Sequence, residues 1–195
     1  MTDLLAELFS SKVRAAALGV FLPRPHCWFS LTELSRLLGL PVSSLQHECY
    51  KLARLGLLRD QRSGNVRRYA PDPAFPLLRP LTTLVLAAMP LTETLPAAAE
   101  GLPGLEQGWL TGEPRARHAR PFLVVIGTLS VEALDALFER ARVATAAAGT
   151  GEIELAYYPS TEWARRLANT DAFVTALQGD VAVALTAPAV PTGTA

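Results

Sequence analysis

The chain has 195 residues, half of them hydrophobic, and a formal net charge of zero. That is enough apolar material for one or two folded domains, but the longest apolar run, Leu81–Met89, falls well short of the about 18 residues of a membrane span. Cys27 and Cys49 are too few for a disulfide scaffold, and Asp3 and Glu7 stand where a signal peptide would be apolar, so a cytoplasmic protein is expected.

The neutral total hides two halves of opposite sign. Residues 1–88 hold eleven Lys/Arg against six Asp/Glu, leaving +5; residues 89–195 hold seven against twelve, leaving −5. A basic half suits a polyanion, because each neutralised phosphate releases counterions. The acidic half is expected to face solvent or protein.

In chain order, Thr2 or Asp3 can cap a first helix running to about Leu22, with Leu4, Leu5, Leu8, Val13, Ala16, Ala17 and Val20 at helical spacing. Ser30 and Glu33 have the spacing of a capping box, which predicts a helix over Leu31–Leu38. Gly39-Leu40-Pro41 then turns the chain into a third helix, Val42–Leu55, which Ser43 or Ser44 helps to start. Its inner face is expected to carry Val42, Leu45, Cys49, Leu52 and Leu55. Gly56 ends it, and an arginine-rich hairpin follows, with Leu57-Leu58 going out and Val66–Ala70 returning around Ser63-Gly64-Asn65. Tyr69 is expected to pack this hairpin onto the domain. Pro80 suits the first turn of a further helix, Leu81–Met89.

Residues 90–108 are rich in Pro, Gly and Ala and read as a connector, and Gly101–Gly104 lacks the pattern of a phosphate loop. Beyond them Phe122–Gly127 reads as a buried strand and Val131–Ala147 as a helix capped by Ser130 and broken by Gly149 and Gly151. Ile153–Tyr158 reads as a strand, 161–167 and 171–177 as helices, and Val181–Leu185 as a last short strand. Strand, helix and strand in this order predict a right-handed β-α-β unit. The fold class expected is α+β, an N-terminal winged helix-turn-helix followed by a small α/β domain. The expected division is 1–90, a connector over 91–108, 109–187, and a disordered tail over 188–195.

A leucine-backed helix with a polar outer face, followed by a basic hairpin, is the layout of a winged helix-turn-helix. The candidate DNA-binding residues are Ser43, Ser44, Gln46, His47, Tyr50, Lys51 and Arg54 on the helix, and Arg62, Asn65, Arg67 and Arg68 in the hairpin, with Arg59 beside them. Gln46 can pair with adenine N6 and N7, and Ser43, Ser44 and His47 can reach base edges or phosphates. Lys51 and Arg54 are better placed for phosphate, and a wing arginine can enter a narrow minor groove. The expected partner is double-stranded DNA.

Residues 11–88 resemble the ArsR/MarR-like winged-helix regulators. The matching pieces are SKVRAAAL, LTELSRLLGLPVSSLQHECYKLARLGLL and RSGNVRRY. The resemblance implies a homodimeric transcription factor on a pseudo-palindromic operator. The first helix and Leu81–Met89, expected as exposed apolar elements, would form the dimer surface. The Cys-rich metal-sensing motif of some members is missing, and the residues before the third helix are not diagnostic of one subfamily.

The C-terminal half resembles a minimal nucleotidyltransferase domain in the layout LEQGWLTG, FLVVIG, a helix, ELAYYPSTEW and NTDAFVTALQGDVAVAL. That family needs a Gly-Ser turn and a pair of aspartates that hold Mg²⁺ against nucleotide phosphates. Here Gly112-Glu113 stands at the turn, and Ala119 and Pro121 stand at the aspartate positions. The resemblance therefore implies a degenerate domain, no enzyme and no cofactor. An active transferase would need its acids from Glu106, Glu113, Glu152 or Glu154. The loop Arg115–Arg120, with Arg117 and His118, is a candidate site for a small anionic effector.

His26, Cys27, His47 and Cys49 match no closed zinc spacing, so no metal is expected. No nucleophile turn accompanies any Ser-His-Asp or Cys-His set, and Trp28, Trp109 and Trp163 read as packing residues. The rival to a sequence-specific regulator is an architectural or repair-associated protein using the same surface without base preference.

Overall fold

The computed structural model describes residues 2–112 and 120–186, and the chain divides into two units, Met1–Pro90 and Leu91–Ala195. The loop from Arg115 to His118 and the tail from Pro188 lie outside the described residues. No helix among them is long and apolar enough to cross a membrane.

The first unit opens on two helices where one was expected, α1 (Thr2–Phe9) and α2 (Lys12–Phe21). The apolar period continues through the break, but Ser10 turns to a positive φ of 52° and the Ser11 hydroxyl accepts the Arg14 N–H at 3.2 Å, capping α2 afresh. A two-residue strand, β1 (Phe29–Ser30), leads into α3 (Leu31–Leu38). The predicted capping box is complete: Glu33 N–H donates to Ser30 Oγ at 3.2 Å, and Ser30 N–H donates to Glu33 Oε2 at 2.7 Å. Gly39 closes α3 in the left-handed conformation at φ 64°, as the turn requires.

Helix α4 (Val42–Arg54) starts from Pro41 with no side-chain cap, so neither Ser43 nor Ser44 caps it. Its buried face is Leu45, Glu48, Cys49 and Leu52; Val42 and Leu55, expected inward, are 43% and 63% exposed because they lie at the ends, past the core. Strands β2 (Leu58–Ser63) and β3 (Val66–Pro71) pair antiparallel about Gly64-Asn65, and β1 joins the far side of β3 in the order β1-β3-β2.

Helix α5 (Leu78–Ala87) begins three residues before the expected start. Neither α1 nor α5 stands outside the compact unit as the sequence suggested. Leu5 and Ala6 of α1 and Val85 of α5 lie in one core with Leu18, Phe21, Leu34, Leu45, Cys49, Leu52 and Tyr69. What remains exposed is Leu4 and Leu8 on α1, Leu84 on α5, and Leu77 just before it.

The second unit corrects the connector. Its residues form α6 (Leu91–Ala99), with Thr94, Leu95 and Ala97–Ala99 buried, and β4 (Leu105–Leu110). The alanines that resemble linker composition are a close-packing surface, and Arg140 Nε donates to the Ala98 carbonyl at 2.9 Å. After β5 (Phe122–Gly127) come α7 (Val131–Ala147), β6 (Glu154–Tyr158), α8 (Ser160–Ala168), α9 (Ala172–Gly179) and β7 (Val183–Ala184).

The sheet order is β6-β5-β4-β7, with β5 and β6 parallel across α7 as the strand-helix-strand pattern predicts, and the other pairs antiparallel. Trp109 and Trp163 stack edge to face at 5.7 Å in this core, and the Trp109 indole N–H donates to the Leu177 carbonyl at 3.0 Å.

Two glycines let the start of β4 meet the end of β5. Gly104 (φ 82°) and Gly127 (φ 148°) cross so closely that a Cβ on Gly127 would lie 2.0 Å from the Gly104 carbonyl oxygen. Gly127→Ala should therefore destabilise the second unit by more than about 1 kcal/mol, with the α4 region unaffected, as read by urea unfolding followed at the tryptophans and by hydrogen exchange.

Candidate nucleic-acid interface

Helical spacing sorts α4 into two faces. Inside, Leu45, Cys49 and Leu52 pack on the core, and burial pushes the Cys49 thiol up to about 12, leaving it protonated and unreactive. Outside, Ser43, Gln46, His47 and Tyr50 follow one another at the i, i+3, i+4, i+7 spacing of a single exposed stripe. With Arg67 and Tyr69 they line an open depression of about 320 Å³ between α4 and the hairpin.

Glu48 is the residue that sequence reasoning missed. It sits on the inner face, 6% exposed, and its carboxylate accepts from Arg14 Nε at 2.9 Å and from Lys51 Nζ at 3.3 Å. Arg14 also reaches the carbonyl of Phe9 at 3.4 Å, so one guanidinium joins the end of α1, the start of α2 and α4. Burial pushes the Glu48 carboxyl upward, but the hydrogen bonds and charges of Arg14 and Lys51 outweigh it and hold the group below the usual range. The available signal was an acid at position 48 inside the apolar spacing 45, 49, 52. Lys51, expected to be well placed for phosphate, pairs with this acid.

The hairpin has two faces, and its register decides what each arginine can do. Arg62 pairs directly with Arg67 and Asp60 with Tyr69, so these four side chains share the face turned to α4. Arg67 Nε donates to Asp60 Oδ2 at 2.7 Å, and its guanidinium lies 5.5 Å above the ring of buried Tyr69, which packs the hairpin down as predicted. The Arg67 hydrogen bond holds the Asp60 carboxyl below its usual range.

Arg59, Gln61 and Arg68 belong to the opposite face. There Arg68 bonds Glu33 Oε1 at 3.2 Å, and Arg59 stacks 5.0 Å over Trp28. Glu33 thus serves the cap and the hairpin together, and the Ser30 backbone N–H, followed by the Ser30 hydroxyl and Arg68, lowers its pKa.

Of the candidate residues, the structure brings Ser43, Gln46, His47, Tyr50 and Arg67 together, with Arg62 on the same hairpin face. Ser44 is half-buried beside them, and Arg54 and Asn65 are exposed at the end of the helix and the tip of the turn. Arg68 faces elsewhere. Among the described residues neither Arg54 nor Arg62 forms an ion pair, and no three His, Cys, Asp or Glu side chains gather to hold a metal. In the second unit, Arg120, the one described residue of the candidate effector loop, pairs with Glu152.

No family model matches the chain, and no curated protein matches it. Among solved structures, the chain is similar to that of TrmBL2, an archaeal chromatin protein described as showing a novel mode of DNA binding. The identity is 16% over 94% of this chain and 80% of that one, with a TM-score of 0.34. A likeness at that level carries no functional weight, and the geometry of α4 and the hairpin has to stand alone.

Glu33 and Glu48 also set an acid limit. A carboxyl whose folded pKa is depressed contributes stability that is fully present above its unfolded value, about 4.3, and is lost as pH falls through the folded value. The first unit should therefore weaken below about pH 4.5. Glu48→Gln should cost roughly 1–2 kcal/mol at neutral pH and shrink the difference between urea midpoints at about pH 7 and about pH 3.

Proposed function

We propose that the first unit binds duplex DNA, and that the chain acts as a sequence-specific transcriptional regulator in the form of a homodimer. The observation that carries this reading is the exposed stripe Ser43, Gln46, His47 and Tyr50 lying beside the cross-strand pair Arg62 and Arg67. A helix backed by a packed core presents polar side chains of the kind that read base edges in a major groove. Two guanidinium groups directly opposite each other on a hairpin repel in the free protein, and a phosphate between them relieves that repulsion.

In this reading Gln46 discriminates adenine, Ser43 and His47 contact bases or phosphates, Tyr50 and Arg54 border the backbone, and Arg62, Arg67 and Asn65 follow the flanking groove. Arg68 and Lys51 act structurally through Glu33 and Glu48. The exposed Leu4, Leu8, Leu77 and Leu84 support the homodimer, since a second copy would remove them from water.

The acidic second unit performs no catalysis in this proposal. The resemblance to nucleotidyltransferases offers Ala119 and Pro121 where metal-holding aspartates belong, and a protein partner or small anionic effector suits that unit better than DNA.

Selection of duplexes from a random pool, followed by salt titration of the recovered site, tests the reading. The affinity should fall steeply with salt. Gln46→Ala should relax base preference by about 1–3 kcal/mol at one position. Arg62→Ala with Arg67→Ala should weaken binding on all sequences and reduce the salt slope by about 2. Arg68→Ala should lower stability and leave that slope unchanged. A pool that yields no enriched site, with binding equal on random DNA, would favour an architectural role.

A further inference from the structure

The α4-facing side of the hairpin carries a carboxylate where a polyanion is expected. Asp60 occupies one cross-strand step beyond the Arg62–Arg67 pair, on the same face, and takes the Nε–H of Arg67 at 2.7 Å. The guanidinium of Arg67 also lies 5.5 Å over the ring of Tyr69, and both residues border the depression that Gln46 and His47 line. An exposed acid at this place is unfavourable for non-specific attraction to phosphate, yet it fixes the guanidinium that a phosphate would use.

Resting on the DNA-binding reading above, we propose that Asp60 is a positioning and specificity-determining residue: it orients Arg67 toward the α4 groove and, as a carboxylate beside the phosphate path, suppresses binding to wrong sequences. The geometry allows both roles at once. Arg67 has five N–H donors, and Asp60 engages the one on Nε, so the others stay available for a phosphate. The carboxylate meanwhile offsets one of the two opposed positive charges. Where α4 is fully seated, the Arg67 that Asp60 orients meets a phosphate in register, and that gain offsets the carboxylate's repulsion. A duplex held out of that register meets the repulsion without the gain, so the acid weakens the wrong complex more than the right one.

The test uses the full chain with two probes, the duplex recovered by selection and a scrambled duplex of the same length and composition, each titrated with salt. Asp60→Asn is nearly isosteric and sits on an exposed strand. It should tighten the scrambled duplex about fivefold, the effect of removing one unit charge a few Å from a phosphate in water. It should steepen the salt slope by about 0.9 and narrow the selected-to-scrambled ratio by a similar factor. Asp60→Glu, which keeps the charge and can regain the arginine, should restore the parent's slope and ratio.

If Asp60→Asn leaves the selected-to-scrambled ratio unchanged, whether both duplexes tighten, weaken or stay as they were, the inference is overturned and the DNA-binding reading stands. If Asp60→Glu behaves like Asp60→Asn, the charge argument fails. If the parent chain binds neither duplex, it is the DNA-binding reading itself that fails.

Discussion

Glu48 stands among Leu45, Cys49 and Leu52 on a helix face that is otherwise apolar, and a carboxylate there has to be paired or protonated. Arg14 pairs it from α2, and Lys51 pairs it from the next turn of its own helix. The ion pair joins the helix that presents Gln46 and His47 to the helices behind it and gives their contact one specific partner. Apolar packing by itself tolerates sliding, whereas a buried charge with a single guanidinium within reach does not. The outer stripe stands on the same helix as this inner pairing, and preorganised polar side chains are what groove reading requires.

The hairpin repeats the device with opposite exposure. Its inner side holds Arg62, Arg67, Asp60 and Tyr69, and its outer side holds Arg59 and Arg68 against Trp28 and Glu33. Four arginines that look alike along the sequence therefore divide into two that lie toward α4 and two that attach the hairpin to the rest of the unit. Glu33 links the parts, since the same carboxylate closes the α3 cap and holds Arg68. The hairpin can thus be basic without being loose.

Much of this was legible in the residues. Ser30 with Glu33, then Gly39 and Gly56, mark the ends of α3 and α4 through local chemistry, and local chemistry can be read without a fold. The stripe at 43, 46, 47 and 50 follows from the helical period alone. The break at Ser10 was not legible, because the apolar period continues through it and only the Ser11 cap decides the matter. Residues 91–108 misled because Ala, Pro and Gly signal flexibility in a linker and close approach in a core, and burial alone separates the two. Arg14 and Glu48 are 34 residues apart, and no local pattern announces such a pairing. Arg68 lies on the side away from α4 because strand register, a tertiary property, decides which side of the hairpin each arginine takes.

The two units differ in what they offer a partner. The first concentrates positive charge around a polar stripe; the second closes a mixed sheet around Trp109 and Trp163 and carries the excess of acids. The central claim is that the exposed face of α4 and the adjoining side of the hairpin meet nucleic acid directly. Backbone amide NMR of the full chain, titrated with a selected duplex, tests it most directly. The account predicts the largest shift changes over residues 43–50 and 60–67, with the Arg59–Trp28 side and the second unit quiet. Large changes elsewhere, with residues 43–50 unmoved at saturation, would contradict it.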